Sequence, residues 1–186
     1  MARVVRKNKG VMVELMKRIK ELDASKLQVG VFESAKYEDG TPVAGVAAVQ
    51  ELGSPKMGIP PRPFFRTTAE EKKGEWAELF ERAARAIIDG TVTPDDALDS
   101  IGLQVAGQVR TTIGNIYEPA LSPVTLHLRK LKQQGGEDFE VTGAMVNSAK
   151  QKAAKGEALD ISGVSTKPLV EDGTMKESIT HRVEKS

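Results

Sequence analysis

The groups best suited to chemistry in this chain are few: two histidines, His127 and His181, a carboxylate trio at Asp95, Asp96 and Asp99, and the serine of Gly53-Ser54-Pro55. A histidine serves acid–base catalysis when a carboxylate orients it and a reacting group lies within hydrogen-bond reach. His127 has no acid near it in sequence, and His181 falls inside an alternating, strand-like segment; both read as structural or solvated side chains. The three aspartates invite a divalent cation, but Thr93-Pro94 directly before them is a helix start, where carboxylates also serve as partners of the positive dipole end. Ser54 precedes a proline, which lacks the backbone N–H that an oxyanion site draws on.

With no cysteine, disulfides and thiolate-bound metals are excluded. Nucleotide-binding glycine loops, a zinc-protease H-E-x-x-H and a G-x-S-x-G elbow are absent from the sequence. The expectation is a chain that is not an enzyme, with no catalytic residue, cofactor or metal. A hydrolase with an unrecognised carboxylate–metal site is the most distant alternative.

The elements that must position any functional surface are those of one domain. At 186 residues, the chain is long enough for a core that buries about 70% of the unfolded surface. Lysine and arginine number 27 against 26 acids, a net charge of +1, so no overall field commits the protein to nucleic acid or membrane. No run approaches the ~20 apolar residues of a membrane span, and the N-terminus has no apolar signal core; synthesis in the cytosol is the expectation. Aromatics make up only 4%, too few for a basic face interleaved with stacking rings. Charge is instead local. Residues 1–20 carry Arg3, Arg6, Lys7, Lys9, Lys17, Arg18 and Lys20 against one acid, Glu14, with Val11, Leu15, Ile19 and Leu22 at helical spacing. This reads as an amphipathic helix behind a solvated basic arm, or as a contact for DNA or an acidic partner.

Leu27–Phe32 alternates and is rich in branched side chains, which predicts a strand; Asp39-Gly40-Thr-Pro predicts a turn, and Val43–Leu52 a short helix stopped by Gly53. Phe65, Ala69, Trp76, Phe80, Ala83 and Ile87 form one helical stripe ending at Asp89-Gly90. Its start is placed at Pro63, although Thr67-x-x-Glu70 and Thr68-x-x-Glu71 are alternative capping boxes. Thr93-Pro94 and Ser122-Pro123 begin two further helices, the first with Leu98, Ile101, Val105, Val109, Ile113 and Ile116 on its buried face. Residues 133–166 hold few large apolar groups and read as a mobile or weakly packed insertion. A turn at Asp172-Gly173 then leads into a strand through Ile179, His181 and Val183, the natural partner for the first strand. The expected fold class is α+β: a small, mainly antiparallel sheet packed against several helices, two of them long. The expected organisation is a basic arm and helix at 1–26, a main domain at 27–132, the insertion at 133–166, and a closing turn and strand at 167–186.

Between two helices lies Gly53-Ser-Pro-Lys-Met-Gly-Ile-Pro-Pro-Arg-Pro-Phe-Phe-Arg66. From Ile59 to Pro63 three residues have φ fixed near about −65° and the other two precede prolines, which predicts a preformed extended spacer suited to a repeated interface. Phe64 and Phe65 are about 100° apart on a helix. Phe65 fits the apolar stripe, leaving Phe64 as a candidate inter-subunit anchor flanked by Arg62 and Arg66, the alternative being that Phe64 covers its own sheet.

The ordered blocks Val29-Gly-Val-Phe, Tyr37-x-Asp-Gly-Thr-Pro-Val-Ala44, Val46-Ala-Ala-Val-Gln-Glu-Leu-Gly53, Gly58-Ile-Pro-Pro-Arg-Pro-Phe-Phe-Arg66 and Lys167-Pro-Leu-Val-Glu-Asp-Gly-Thr-Met-Lys-Glu-Ser-Ile179 resemble those of the neck or tail-completion proteins of tailed bacteriophages, a family that includes tail components of lambdoid long-tailed phages. The resemblance implies a virion structural protein at the head–tail junction, made in the host cytoplasm and assembled as a ring, commonly six-fold, that lets DNA pass. It implies contacts with other copies of itself, with head–tail connector proteins and with the tail terminator or tail tube. On this reading the subunit or partner interface comprises Ile59, Pro60, Pro61, Arg62, Pro63, Phe64 and Arg66, and Arg3, Arg6, Lys7 and Lys9 are candidate DNA-channel contacts. The sequence departs from the family pattern at Glu171-Asp-Gly, where Asp/Glu-Thr-Gly is usual, and in the long Gly/Lys-rich segment before it. The alternative function is a nucleic-acid-binding module that uses the basic N-terminal arm.

Overall fold

A computed structural model describes the backbone of residues 2–136 and 139–185, with side chains described from residue 10 onward. The candidate DNA contacts Arg3, Arg6, Lys7 and Lys9 therefore have side chains outside the described residues. Seven helices and one two-stranded antiparallel sheet account for the architecture among the described residues, and the fold class is α+β. In chain order these are α1 (Ala2–Asp23), β1 (Ser25–Val31), α2 (Val43–Leu52), α3 (Phe64–Asp89), α4 (Pro94–Asn115), α5 (Pro123–Gly135), α6 (Gly143–Ala154), α7 (Thr174–Glu177) and β2 (Ile179–Lys185).

The two ends of the chain close the fold. β1 and β2 pair with Leu27 opposite Val183, Val29 opposite His181 and Val31 opposite Ile179, so the alternating apolar residues of both strands share one face. That face meets α4, the central helix, which also packs against α3 and α7. The core gathers Val43 and Ala47 of α2, Phe64 of α3, Ala106, Val109 and Ile113 of α4, Leu169, Met175 of α7 and Ile179 of β2. Gly102 on α4 sits under His181 of β2: a Cβ there would stand 2.5 Å from the ring, and His181 Nε2 reaches Asp99 Oδ1 at 2.8 Å.

Helix starts follow their local chemistry. Thr93 Oγ1 accepts from Asp96 N–H, Ser122 Oγ from Thr125 N–H and Thr142 Oγ1 from Met145 N–H, each satisfying one donor orphaned at a helix N-terminus. α3 starts differently. Neither threonine capping box is used: the Glu51 carboxylate of α2 accepts from Phe65 N–H at 2.8 Å and Arg66 N–H at 3.3 Å. It supplies the negative charge that the first turn of α3 lacks.

Two expectations are corrected, the buried line of α3 and the extent of the N-terminal helix. The buried line of α3 is Phe64, Thr68 and Ile87, whereas Phe80 is 46% exposed, because the face toward α4 is polar along its middle. Thr68 Oγ1 donates to Phe64 O and Thr112 Oγ1, Trp76 Nε1 donates to Gln108 Oε1, and Glu75 accepts from Gln104 and Gln108. Within 133–166, where a mobile or weakly packed insertion is expected, α6 lies along α5 and Ala149 is the one buried residue among those described. The N-terminal helix is longer than expected, since its backbone is helical from Ala2.

Ahead of the expected Ile59–Pro63 spacer, Gly53–Ile59 is a closed loop: Ser54 and Ile59 exchange backbone hydrogen bonds of 2.8 and 3.0 Å around a 3₁₀ turn at Pro55–Met57. The chain doubles back on Gly53, whose φ of 77° and ψ of 168° fall in a region open essentially to glycine alone. A Cβ on Gly53 would also stand 2.8 Å from Pro61 N. Gly53→Ala is expected to lower stability by at least about 1–3 kcal/mol, read as a fall in the urea midpoint with an unchanged slope. An unchanged midpoint would contradict the loop geometry.

Candidate interaction surfaces

The proline segment is anchored to its own domain. Arg62 is buried: its Nε and Nη2 donate to Pro119 O at 3.0 and 2.7 Å, its Nη1 to Gln50 Oε1 at 3.1 Å, and its backbone N–H to Gln50 O at 2.7 Å. Burial, and then the like charge of Arg129, hold the Arg62 guanidinium below its usual range, and it stays a cation at physiological pH. Phe64 is fully buried, so the proposed outward anchor is corrected: it is a core residue. The Phe65 ring packs beside it at 4.9 Å between centroids and also lies against the core. Both rings point inward because the first turn of α3 is driven end-on between α2, α4 and the sheet. A helix end is enclosed on more sides than one stripe along its length.

Arg66 is exposed but engaged at home, with Nε 3.0 Å from Glu51 Oε1 and Nη2 donating to Glu51 O. Ile59, Pro60 and Pro63 are half-buried and Pro61 is exposed. Of the seven expected interface residues, the two with the most binding capacity, Arg62 and Phe64, thus serve the fold. The groups the loop presents outward are Leu52 and Met57, both about two-thirds exposed. Their sequence signal was a large apolar residue beside a turn glycine at Leu52-Gly53 and Met57-Gly58.

Arg129 repeats the clamp on the far side. It is buried on α5 and donates from Nη1 to Ser165 O and Lys167 O at 2.9 and 3.0 Å, and from Nη2 to Pro168 O at 3.1 Å. Its Nε makes no hydrogen bond among the described residues and sits 3.5 Å from Glu171 Oε2, an ionic contact. Burial lowers the Arg129 guanidinium, while Glu171 and then Asp172 act in the opposite sense. An open cleft of about 230 Å³ adjoins it, lined among others by Tyr37, Asp39, Gln50, Lys132 and Asp172. Burial, then the negative field of Asp172, Glu171 and Asp39, raises the Tyr37 phenol above its usual range. Arg110 is a third clamp, with Nε and Nη2 both donating to Ile179 O.

The residues with catalytic chemistry are dispersed. Asp99 holds His181, Asp96 accepts from the Thr93 hydroxyl, and Asp95 pairs with Lys185 Nζ at 2.7 Å. The hydrogen bond to Asp95, and then its charge, raise the Lys185 ammonium. His127 Nδ1 lies 2.9 Å from Asp160 O. Among the described residues no group of three or more histidines, cysteines or acids could hold a metal ion, and no helix is long and apolar enough to cross a membrane.

A run of uncovered apolar residues lies on α1. Leu15, Arg18 and Leu22 turn toward the body, where Arg18 Nη1 reaches Ile87 O at 3.5 Å. Val11, Met12 and Val13 are 66%, 59% and 69% exposed. Three consecutive helical residues span about 200° of the helix circumference, so α1 stands clear of the body at this level. Met16 and Ile19 continue the exposed apolar side toward the C-terminal half. Sequence periodicity picked out Val11, Leu15, Ile19 and Leu22 but not Met12, Val13 and Met16, which lie on the far flank of the same broad apolar arc. Comparison with known proteins finds that no family model, no curated protein and no solved structure matches this chain.

Proposed function

We propose that this chain is a virion structural protein of the head–tail junction of a tailed phage, one subunit of a ring that completes the tail or joins it to the head connector and leaves a passage for DNA. It works by shape and packing, without catalysis, with a tail terminator or tail tube as the neighbour on the other side. The observation that carries this reading is where the blocks resembling the neck and tail-completion family go. Val29 and Val31, Tyr37, Val43, Ala47, Phe64, Leu169, Met175 and Ile179 come from all five blocks, far apart in sequence, and meet in one core. The blocks are thus parts of one packing unit. An uncovered apolar helix beside that unit is what a subunit of a larger assembly carries before its neighbours arrive.

Electron microscopy of the purified protein, alone and mixed with isolated tail tubes, tests the reading. Rings seated on tube ends are the expected result. A protein that ignores tubes, remains monomeric and retards duplex DNA with a steep salt dependence would overturn it in favour of a nucleic-acid-binding module built on the basic N-terminus.

A further inference from the structure

We infer that the exposed apolar side of α1 is the arm by which one copy of this chain grips the next, docking in parallel on the exposed face of α3 of a second copy. This rests on the ring reading and specifies its subunit contact. Met12, Met16 and Ile19 lie within about 60° of one another on α1 and are 59%, 48% and 45% exposed. On α3, Ala77, Phe80, Ala84 and Ile88 lie within about 80°, with Phe80 and Ile88 46% and 54% exposed. The two stripes run about 11 and 16 Å at 1.5 Å per residue, so the shorter fits on the longer, and flexible methionines adapt to an aromatic edge.

Charge selects the partner and the direction. Between residues 70 and 81, α3 carries five glutamates against two lysines. Glu75, Glu78 and Glu81 are paired with Lys72, Arg82 and Arg85, whereas Glu70 and Glu71 have no ion pair among the described residues. Laid parallel with Met12 beside Ala77, the basic run at 3–9 falls level with 68–74, where Glu70 shares the Ala77 side of α3. The opposite direction would carry it past the end of α3. Pairing α1 with α1 offers no such match, because Glu14 and Glu21 are already engaged with Arg18 and Lys17. DNA would satisfy the basic run and leave the apolar stripe wet. A contact between two different faces is heterologous, and it closes into a ring when the rotation allows.

The test is the mass in solution of the full chain, by light scattering over a concentration series. Met16→Asp on α1 and Phe80→Asp on α3 are each expected to weaken self-association about tenfold or more with the helical spectrum retained; Ile88→Asp serves for α3 should Phe80→Asp unfold the chain. Each variant keeps one intact half of the contact, so an equimolar mixture of the two regains a 1:1 dimer and goes no further. Self-association of Phe80→Asp and Ile88→Asp at the wild-type level would mean α1 pairs with α1 and would overturn the proposal. So would a wild-type chain that stays monomeric, or association that ignores Met16→Asp. Failure here with rings still seated on tail tubes leaves the junction reading standing. The expected masses without any binding to tubes would overturn that reading and leave the docking in place.

Discussion

Phe64→Ala lowers the unfolding free energy by about 3–5 kcal/mol, the range for truncating a fully enclosed aromatic and leaving its cavity. For a chain of this size each kcal/mol moves the melting temperature by about 2–4 °C, so a fall of about 6–20 °C is expected in a thermal scan. The ring is fully buried, among residues from α2, α4, α7 and β2, and no single neighbour can relax enough to fill the space. Phe65→Ala costs less, because Phe65 keeps part of its surface in water and lies at the edge of the cluster. The order of the two effects separates a core role from an interface role. A subunit anchor would change the mass in solution and spare the melting temperature of the isolated subunit. A loss under about 1 kcal/mol, well short of the aromatic truncation range, would contradict the packing described above.

Arg129→Ala is the second large effect, expected at about 2–4 kcal/mol, because it strands carbonyl oxygens that cost about 1–3 kcal/mol each when buried without a donor. Ser165, Lys167 and Pro168 all lose their partner at once, and the segment leading into α7 loosens from α5. Arg129→Lys keeps the charge but replaces a planar fork by a single ammonium, and recovers less than half of the loss. Limited proteolysis between residues 157 and 172 should accelerate in both variants, and more in the alanine variant. Cleavage and melting identical to wild type would show that the clamp holds nothing. Arg62 and Arg110 follow the same design, so three guanidinium groups each hold backbone carbonyls from segments far away in sequence.

Those clamps mark where local reading ends. The strand expected at Leu27–Phe32 occupies Ser25–Val31, and the helix expected at Val43–Leu52 has those bounds. Thr93-Pro94 and Ser122-Pro123 cap helices where their chemistry demands, and the six apolar residues assigned to the inner face of α4 include five that are buried. The candidate interface was much less legible. Arg62, an arginine among prolines, looks like a surface contact until Pro119 O, 57 residues away, is seen to receive it. The α3 N-terminus is capped by a carboxylate 14 residues upstream, which no window of neighbouring residues reveals. The basic, amphipathic character of α1 was plain, but not that its N-terminal half leaves the body.

By itself the sequence determined where α2, α4 and α5 begin, because caps, turns and proline constraints are settled among backbone groups within three or four residues of each other. It also determined that the first and last strands pair, since neither can stand alone. Only the tertiary structure decided which faces are inside. The side of α3 that is buried depends on the glutamines and threonines α4 presents to it, and the fate of Phe64 on three elements converging at one helix end. Burial is a property of what stands opposite, and what stands opposite this chain's helices comes from 30 to 70 residues away.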